Sequence, residues 1–141
     1  MRLFFDSSAI VKRYRAEPSS AAVESFWQSS EVLGICTITI AEVIAALNRA
    51  VREKALSLKQ YGAAKLAFDA DIAACEMVAL QRGVILRAIR VLEMWPLRSA
   101  NAIQVASAQL WGADVFLSAD RRQCAAARGA GLEVEELPAL L

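Results

Sequence analysis

Five short strand-like runs alternate along this chain with longer segments of helical periodicity, and that alternation constrains its fold more than any other feature. The runs cover residues 3–5, 31–37, 76–80, 115–118 and 132–134. Between them, apolar residues recur at helical spacing, as in Ile40, Val43, Ile44, Leu47 and Val51,. Helix starts are marked by capping residues: Ser7 or Ser8, then Pro18-Ser19-Ser20, Thr39, Ser57 with Gln60, Ser99, and Asp120 or Ser118,. Pro96 ends the segment 84–95, and Gly129 or Gly131 closes the last helix,. Strands alternating with helices predict an α/β fold, a mainly parallel sheet covered on both faces. The length of 141 residues predicts a single domain over 1–141, and the 57% hydrophobic content predicts burial of most segments on at least one side,.

The chain has no histidine. That removes the Ser-His-Asp triad, histidine-ligated zinc and histidine acid/base chemistry together. Cys36, Cys75 and Cys124 lack zinc-ligand spacing and read as buried free thiols of a reducing compartment,. A net charge of +1 advertises no global field for nucleic acid, so such binding would use a local patch,. Asp6 interrupts the N-terminal apolar run before it could serve as a signal peptide, and no stretch is apolar for long enough to span a bilayer,. A cytoplasmic protein with no membrane partner is expected.

Four polar positions share one setting. Asp6 directly follows the first strand, and Asp120 follows the 115–118 strand. Glu42 and Asn101 are expected in the first turns of the helices opened by Thr39 and Ser99. In a right-handed parallel α/β fold, strand ends and the helix starts after them lie on one edge of the sheet, so these four can meet in one cleft. Crowded carboxylates repel unless a cation sits among them, and oxygen-only donors favour Mg²⁺ or Mn²⁺. Such an ion would polarise a phosphodiester. Each residue also has a simpler reading. Thr39 and Glu42 fit a capping box, and Asp6 and Asp120 fit plain helix caps. Asn101 and Gln104 are polar exceptions in an otherwise apolar segment, and a buried amide needs partners.

The segment Phe5-Asp6-Ser7-Ser8-Ala9-Ile10-Val11-Lys12-Arg13-Tyr14, with Glu17-Pro18 after it, resembles the opening of PIN-domain proteins of the VapC toxin type. Ile40-Ala41-Glu42-Val43 is similar to their second acidic motif. The stretch from Pro96 through Asn101 and Gln104 to Ala108 is similar to the third, and Phe116-Leu117-Ser118-Ala119-Asp120 to the fourth. The resemblance implies a compact three-layer α/β/α domain and a Mg²⁺-dependent ribonuclease acting on RNA. It also implies a homodimer held inactive by a small VapB-type antitoxin. It places Asp6, Glu42 and Asp120 at acidic metal-site positions. The third motif of that family carries Asp where this chain has Asn101, so weak or absent turnover is expected. The residues alone leave three readings of Asn101 open: an active variant, a binding-only protein, or a substitution that disarms a toxin.

Ser118 and Ser7 are candidate supporting groups, Ser118 as a metal or water ligand or as a helix cap. Lys12, Arg13, Arg15, Arg98, Arg121 and Arg122 are candidate RNA-phosphate contacts, with salt bridges or a solvated face as the alternative. Trp27, Trp95 and Trp111 read as packing residues rather than base-stacking ones. Segments 21–27 and 61–68 are candidate dimer surfaces, and 133–136 an exposed edge strand. A module that binds antitoxin or RNA without cutting is the rival function. A receiver or haloacid-dehalogenase-like phosphotransfer protein would need Asp-Asp or Asp-x-Asp where Asp6 is followed by Ser7-Ser8.

Overall fold

Arg2–Phe5 forms the first strand, β1, and its side chains alternate between two cores as the pleat requires,. Leu3 and Phe5 enter one cluster, while Phe4 enters the other on the opposite face. The computed structural model describes residues 1–138, so the last three positions of the domain expected over 1–141 lie outside the described residues.

After β1 come α1 (Ser7–Ile10), continued by a 3-10 turn over Val11–Arg13, and α2 (Ser20–Ser29). Then follow β2 (Val32–Cys36), α3 (Thr37–Arg52), α4 (Leu58–Ile72), β3 (Glu76–Val78), α5 (Arg82–Met94), α6 (Ser99–Trp111), β4 (Val115–Ser118), α7 (Arg121–Gly129) and β5 (Val134–Glu136). All strand pairs are parallel, in the order β3-β2-β1-β4-β5. Val23, Val43, Leu47 and Phe68 from α2, α3 and α4 cover one face. Val84, Ala88, Val105 and Ala127 from α5, α6 and α7 cover the other. The expected three-layer α/β fold is therefore the observed one.

Chain order reverses beside β1. The path runs from β1 to β2 and β3 on one side, then returns to β4 and β5 on the other. Open α/β sheets form ligand sites at the carboxyl ends of strands where order reverses. Here that point lies after Phe5 and Ser118, and Asp6 N–H donates to Leu117 O at 3.1 Å across the seam.

Several element boundaries differ from expectation. The third helix starts at Thr37, with Cys36 as its cap residue, two positions before Thr39. Ser99 is already helical and Arg98 occupies the cap position without a side-chain bond. The last strand is 134–136 rather than 132–134, and it is the sheet edge, as expected of this acidic segment. The Ser57–Gln60 capping box is present with both reciprocal bonds. Gly131, at φ 93°, follows the end of α7.

The tryptophans pack. Trp111 lies on Gly34, where a Cβ would stand 2.8 Å from the indole. Trp27 meets Phe5 edge-on at 5.5 Å. The dimer candidates 21–27 and 61–68 turn Val23, Ala64 and Phe68 inward and leave Ala21, Ala22 and Leu66 exposed. A row of exposed apolar residues also sits on α5: Ile85, Leu86, Ile89 and Leu92. Among the described residues, no helix is long and apolar enough to cross a membrane.

Candidate active site

Asp6 caps α1. Its Oδ1 accepts from Ala9 N–H at 2.9 Å, so the helix-cap reading holds,. The cap is also the centre of a buried network. Ser8 Oγ donates to Asp6 Oδ1 at 2.7 Å, and Ser118 Oγ donates to Oδ2 at 2.5 Å. These bonds use about three of the roughly four acceptor positions of a carboxylate. Asp6 is only 2% exposed. Burial pushes its carboxyl up from 3.8 to about 6; the Ser118 and Ser8 hydroxyls and the Ala9 N–H oppose that rise, and the nearby Asp120 charge adds to it,.

Asp120 caps α7 in the same way, accepting from Gln123 N–H at 3.0 Å. The turn before it is held by the two serines, Ser8 from α1 and Ser118 from β4. Ala119 N–H donates to Ser8 Oγ and Asp120 N–H to Ser118 Oγ. Ser118 is fully buried, with its proton on Asp6, so it is a structural support rather than an open metal or water ligand.

Glu42 lies in the second turn of α3, because the helix starts at Thr37. The expected Thr39–Glu42 capping box therefore does not form. Ser7 Oγ donates to Glu42 Oε1 at 2.6 Å, and Gln104 Nε2 donates to the same oxygen at 2.9 Å. Asn101 stands in the first turn of α6, with Nδ2 3.5 Å from Asp120 Oδ2.

Asp6, Ser7, Glu42, Asn101 and Asp120 thus line one cavity of about 120 Å³, together with Ser8, Gln104 and Gln123. Asn101 and Asp120 also line an adjoining cleft of about 540 Å³, whose other walls include Arg98, Arg121 and Arg122. These three arginines are exposed and make no ion pair among the described residues.

Three expected phosphate contacts are corrected. Lys12 is buried, and its Nζ donates to Glu17 Oε2 and Pro18 O, each at 3.1 Å. Arg13 bonds Glu24 and Asp71, and its guanidinium lies 3.9 Å from the Trp27 ring centre. Arg15 pairs with Glu17 at 3.6 Å. A positive charge next to a motif in sequence is here consumed by the fold.

The thiols take no part. All three are free, with Cys36 and Cys124 buried and Cys75 half-buried. Burial pushes Cys124 up to about 12 and Cys75 up to about 11, so neither is a nucleophile near neutral pH,. Sequence reasoning did not assign Ser8, Thr39, Gln104 or Gln123. Gln104 carried a signal, since it stands one helical turn after Asn101 on the same face.

Among the described residues, no three His, Cys, Asp or Glu side chains form a group able to hold a metal by themselves. The donors are all oxygens: three carboxylates and one amide. That set fits Mg²⁺ in its usual mode, one or two carboxylates with several retained waters, and does not fit an all-protein cage.

Residues 3–129 match the PIN domain family. The chain is 30% identical over 134 residues to "Ribonuclease VapC45" of Mycobacterium tuberculosis, covering 94% of this chain and 93% of that protein. Its fold is similar to the crystal structure of M. tuberculosis VapC20, described as a sarcin-ricin loop cleaving toxin. The TM-score is 0.71 at 17% identity, over 96% of this chain and 99% of that one. It is equally similar to DNA-bound VapBC from Salmonella typhimurium, with TM-score 0.71 at 15% identity, over 96% and 98%. At those identities the two structures speak for the fold.

Proposed function

This chain belongs to the PIN-domain family, in its VapC-type branch, and from that premise we propose that it is a divalent-metal-dependent endoribonuclease toxin of a type II toxin–antitoxin pair. The observation that carries the reading is the meeting of Asp6, Glu42, Asn101 and Asp120 in one cavity that adjoins an arginine-walled cleft. These positions lie up to 114 residues apart in sequence, from Asp6 to Asp120; Asp6 and Asp120 also cap helices, but Glu42 and Asn101 occupy no cap position and still line the same cavity.

Asp6, Asn101 and Asp120 are the residues that would hold Mg²⁺, with Mn²⁺ as a substitute, and Glu42 would face a water beside it. When bound, the ion supplies positive charge against the phosphodiester. The chain's own groups do the rest. Arg98, Arg121 and Arg122 bind RNA phosphates on either side of the scissile bond. Glu42 accepts a proton from the attacking water. Its Oε1 is engaged by Ser7 and Gln104, which leaves Oε2 for that task,. The Ser8 and Ser118 hydroxyls and the Ala9 N–H fix Asp6 in place.

Asn101 keeps the shape of a carboxylate and an oxygen donor but removes one negative charge. Losses one shell further out already cost about 10–100-fold at metal sites, so turnover by the chain as written is weak or absent. The partners we assign are RNA, a VapB-type antitoxin and a second copy of the chain in the cytoplasm. The copy would cover the exposed Ile85, Leu86, Ile89 and Leu92 face of α5,.

The test is cleavage of a mixed RNA pool in Mg²⁺ by the chain as written, by Asn101→Asp, and by Asn101→Asp with Asp6→Asn. Cleavage restored by Asn101→Asp and abolished again by Asp6→Asn supports the nuclease. Asn101 itself favours a second reading, a module that binds antitoxin or RNA without cutting. That reading predicts tight partner binding whichever residue stands at 101, and no cleavage by any folded variant.

A further inference from the structure

Gln104 is 1% exposed on α6, in a buried stretch whose other members are Ala102, Val105, Ala106, Ser107 and Ala108. Packing alone would be served by Leu or Met, which carry no buried polar group needing a partner. Its Nε2 instead reaches three acceptors on two other helices. They are Glu42 Oε1 at 2.9 Å, Thr39 Oγ1 at 2.9 Å and Ser7 Oγ at 3.0 Å.

The amide orientation follows from charge. Turned the other way, its carbonyl oxygen would face the Glu42 carboxylate with no proton between them. Two amide hydrogens therefore serve three acceptors, and the nitrogen side is saturated. The oxygen side is not. Gln104 Oε1 is buried and has no hydrogen-bond partner among the described residues. Gln104 lines the same cavity of about 120 Å³ as Asp6, Asn101 and Asp120.

We propose that Gln104 is the positioning residue of this site: its N–H groups lock Glu42, Ser7 and Thr39 in one arrangement. The inference rests on the nuclease reading and deepens it. It assigns the orientation of Glu42 to α6, the helix that also carries Asn101.

The test uses the full chain with Asn101→Asp and adds either Gln104→Met or Gln104→Glu. Met keeps the volume and removes both polar functions. Glu keeps the shape and sets a second carboxylate against Glu42. Positioning predicts a kcat lowered about 10–100-fold by Gln104→Met and further by Gln104→Glu, with KM changed less than about threefold. A packing role predicts an unchanged kcat for the folded Met variant, and that result overturns the proposal. Mn²⁺ affinity of each variant, measured by electron paramagnetic resonance, separates this from failure of the nuclease reading. If Asn101→Asp cleaves no RNA, a roughly tenfold weaker Mn²⁺ affinity in Gln104→Met still supports positioning. Equal affinities, or no Mn²⁺ binding by either chain, overturn it. Should Gln104→Met not fold, the same comparison is made with Gln104→Glu.

Discussion

Ser118 Oγ donates a hydrogen bond of 2.5 Å to Asp6 Oδ2, joining residues 112 positions apart across the seam between β1 and β4. The same hydroxyl accepts from Asp120 N–H at 3.0 Å. One buried serine thus sets the position of both acidic residues that end the central strands. It also offsets part of the cost of burying Asp6, since a hydrogen bond to the ionised form favours it.

Ser118→Ala removes that support. The Asp6 carboxyl, already at about 6, should rise by about one to two further units, since a bond to a charged group contributes about 1.5–3 kcal/mol,. Titration of the Asp6 side-chain carbon by NMR measures it. An Asp6 that titrates unchanged in the variant would mean that the hydroxyl does not support the charge.

Asp6→Asn separates stability from function. The folded-state value of about 6 lies above the unfolded 3.8, so between these limits the folded chain holds a proton that the unfolded chain has released. Stability therefore falls as pH rises from about 4 to about 6, by about 3 kcal/mol in all, and stays low above that range. Asn can still accept from Ala9 N–H but carries no charge to bury. The variant should be more stable than the parent at pH 7, by up to about 3 kcal/mol, with a flatter pH profile, while cleavage by an Asn101→Asp background is lost. Urea unfolding at pH 4, 5, 6 and 7 is the measurement. Parallel pH profiles for parent and variant would sink the idea.

The positions of Asp6 and Asp120 are legible in sequence because both stand where an apolar run gives way to a helix, and their role as caps and their place in the cavity follow from that one location. Glu42 is legible as a site residue but not in its setting. The expected start at Thr39 moves to Thr37, directly after β2, whose last residue Cys36 is paired with Val78 across the sheet, a contact that no local pattern reports. Once Thr37 leads, Thr39 turns inward to accept from Gln104 and the capping box is lost. Lys12 illustrates the opposite failure. Its burial depends on Glu17 and Pro18 folding back over it, a tertiary fact that its basic character conceals.

That ion pair is itself testable. Lys12 and Glu17 side chains are 1% and 7% exposed, with Nζ and Oε2 3.1 Å apart. Removing Glu17 leaves Lys12 as an uncompensated buried charge, which costs about 3–5 kcal/mol, whereas Glu17 without Lys12 still faces Arg15 at 3.6 Å,. Glu17→Met should therefore destabilise strongly and Lys12→Met less, and adding Lys12→Met to Glu17→Met should recover much of the loss. A double-mutant cycle by urea unfolding reads the coupling; additive losses would show that the pair is not a unit. RNA affinity of whatever folds should be unchanged, because Lys12 is not on the cleft.

The arginines of the cleft should behave in the opposite way. Arg98, Arg121 and Arg122 are exposed, unpaired among the described residues, and gathered beside Asn101 and Asp120. Each phosphate they neutralise releases counterions, so the logarithm of RNA affinity falls with the logarithm of salt, with a slope of about 0.7 per contact for single strands. Arg121→Ala should therefore leave stability within about 0.5 kcal/mol, as for surface changes without buried partners. It should weaken RNA binding at low salt and reduce the salt slope by about 0.7. Arg98→Ala with Arg121→Ala should reduce it by about twice that. Fluorescence anisotropy of a labelled single-stranded RNA, titrated at several salt concentrations in Ca²⁺ to suppress cleavage, gives both numbers. Arg13→Ala is the informative contrast. Its guanidinium is held by Glu24, Asp71 and Trp27, so it should cost stability and leave the slope unchanged. A slope that responds to Arg13 and not to Arg121 would move the RNA path off the acidic cleft and onto the α1–α2 face.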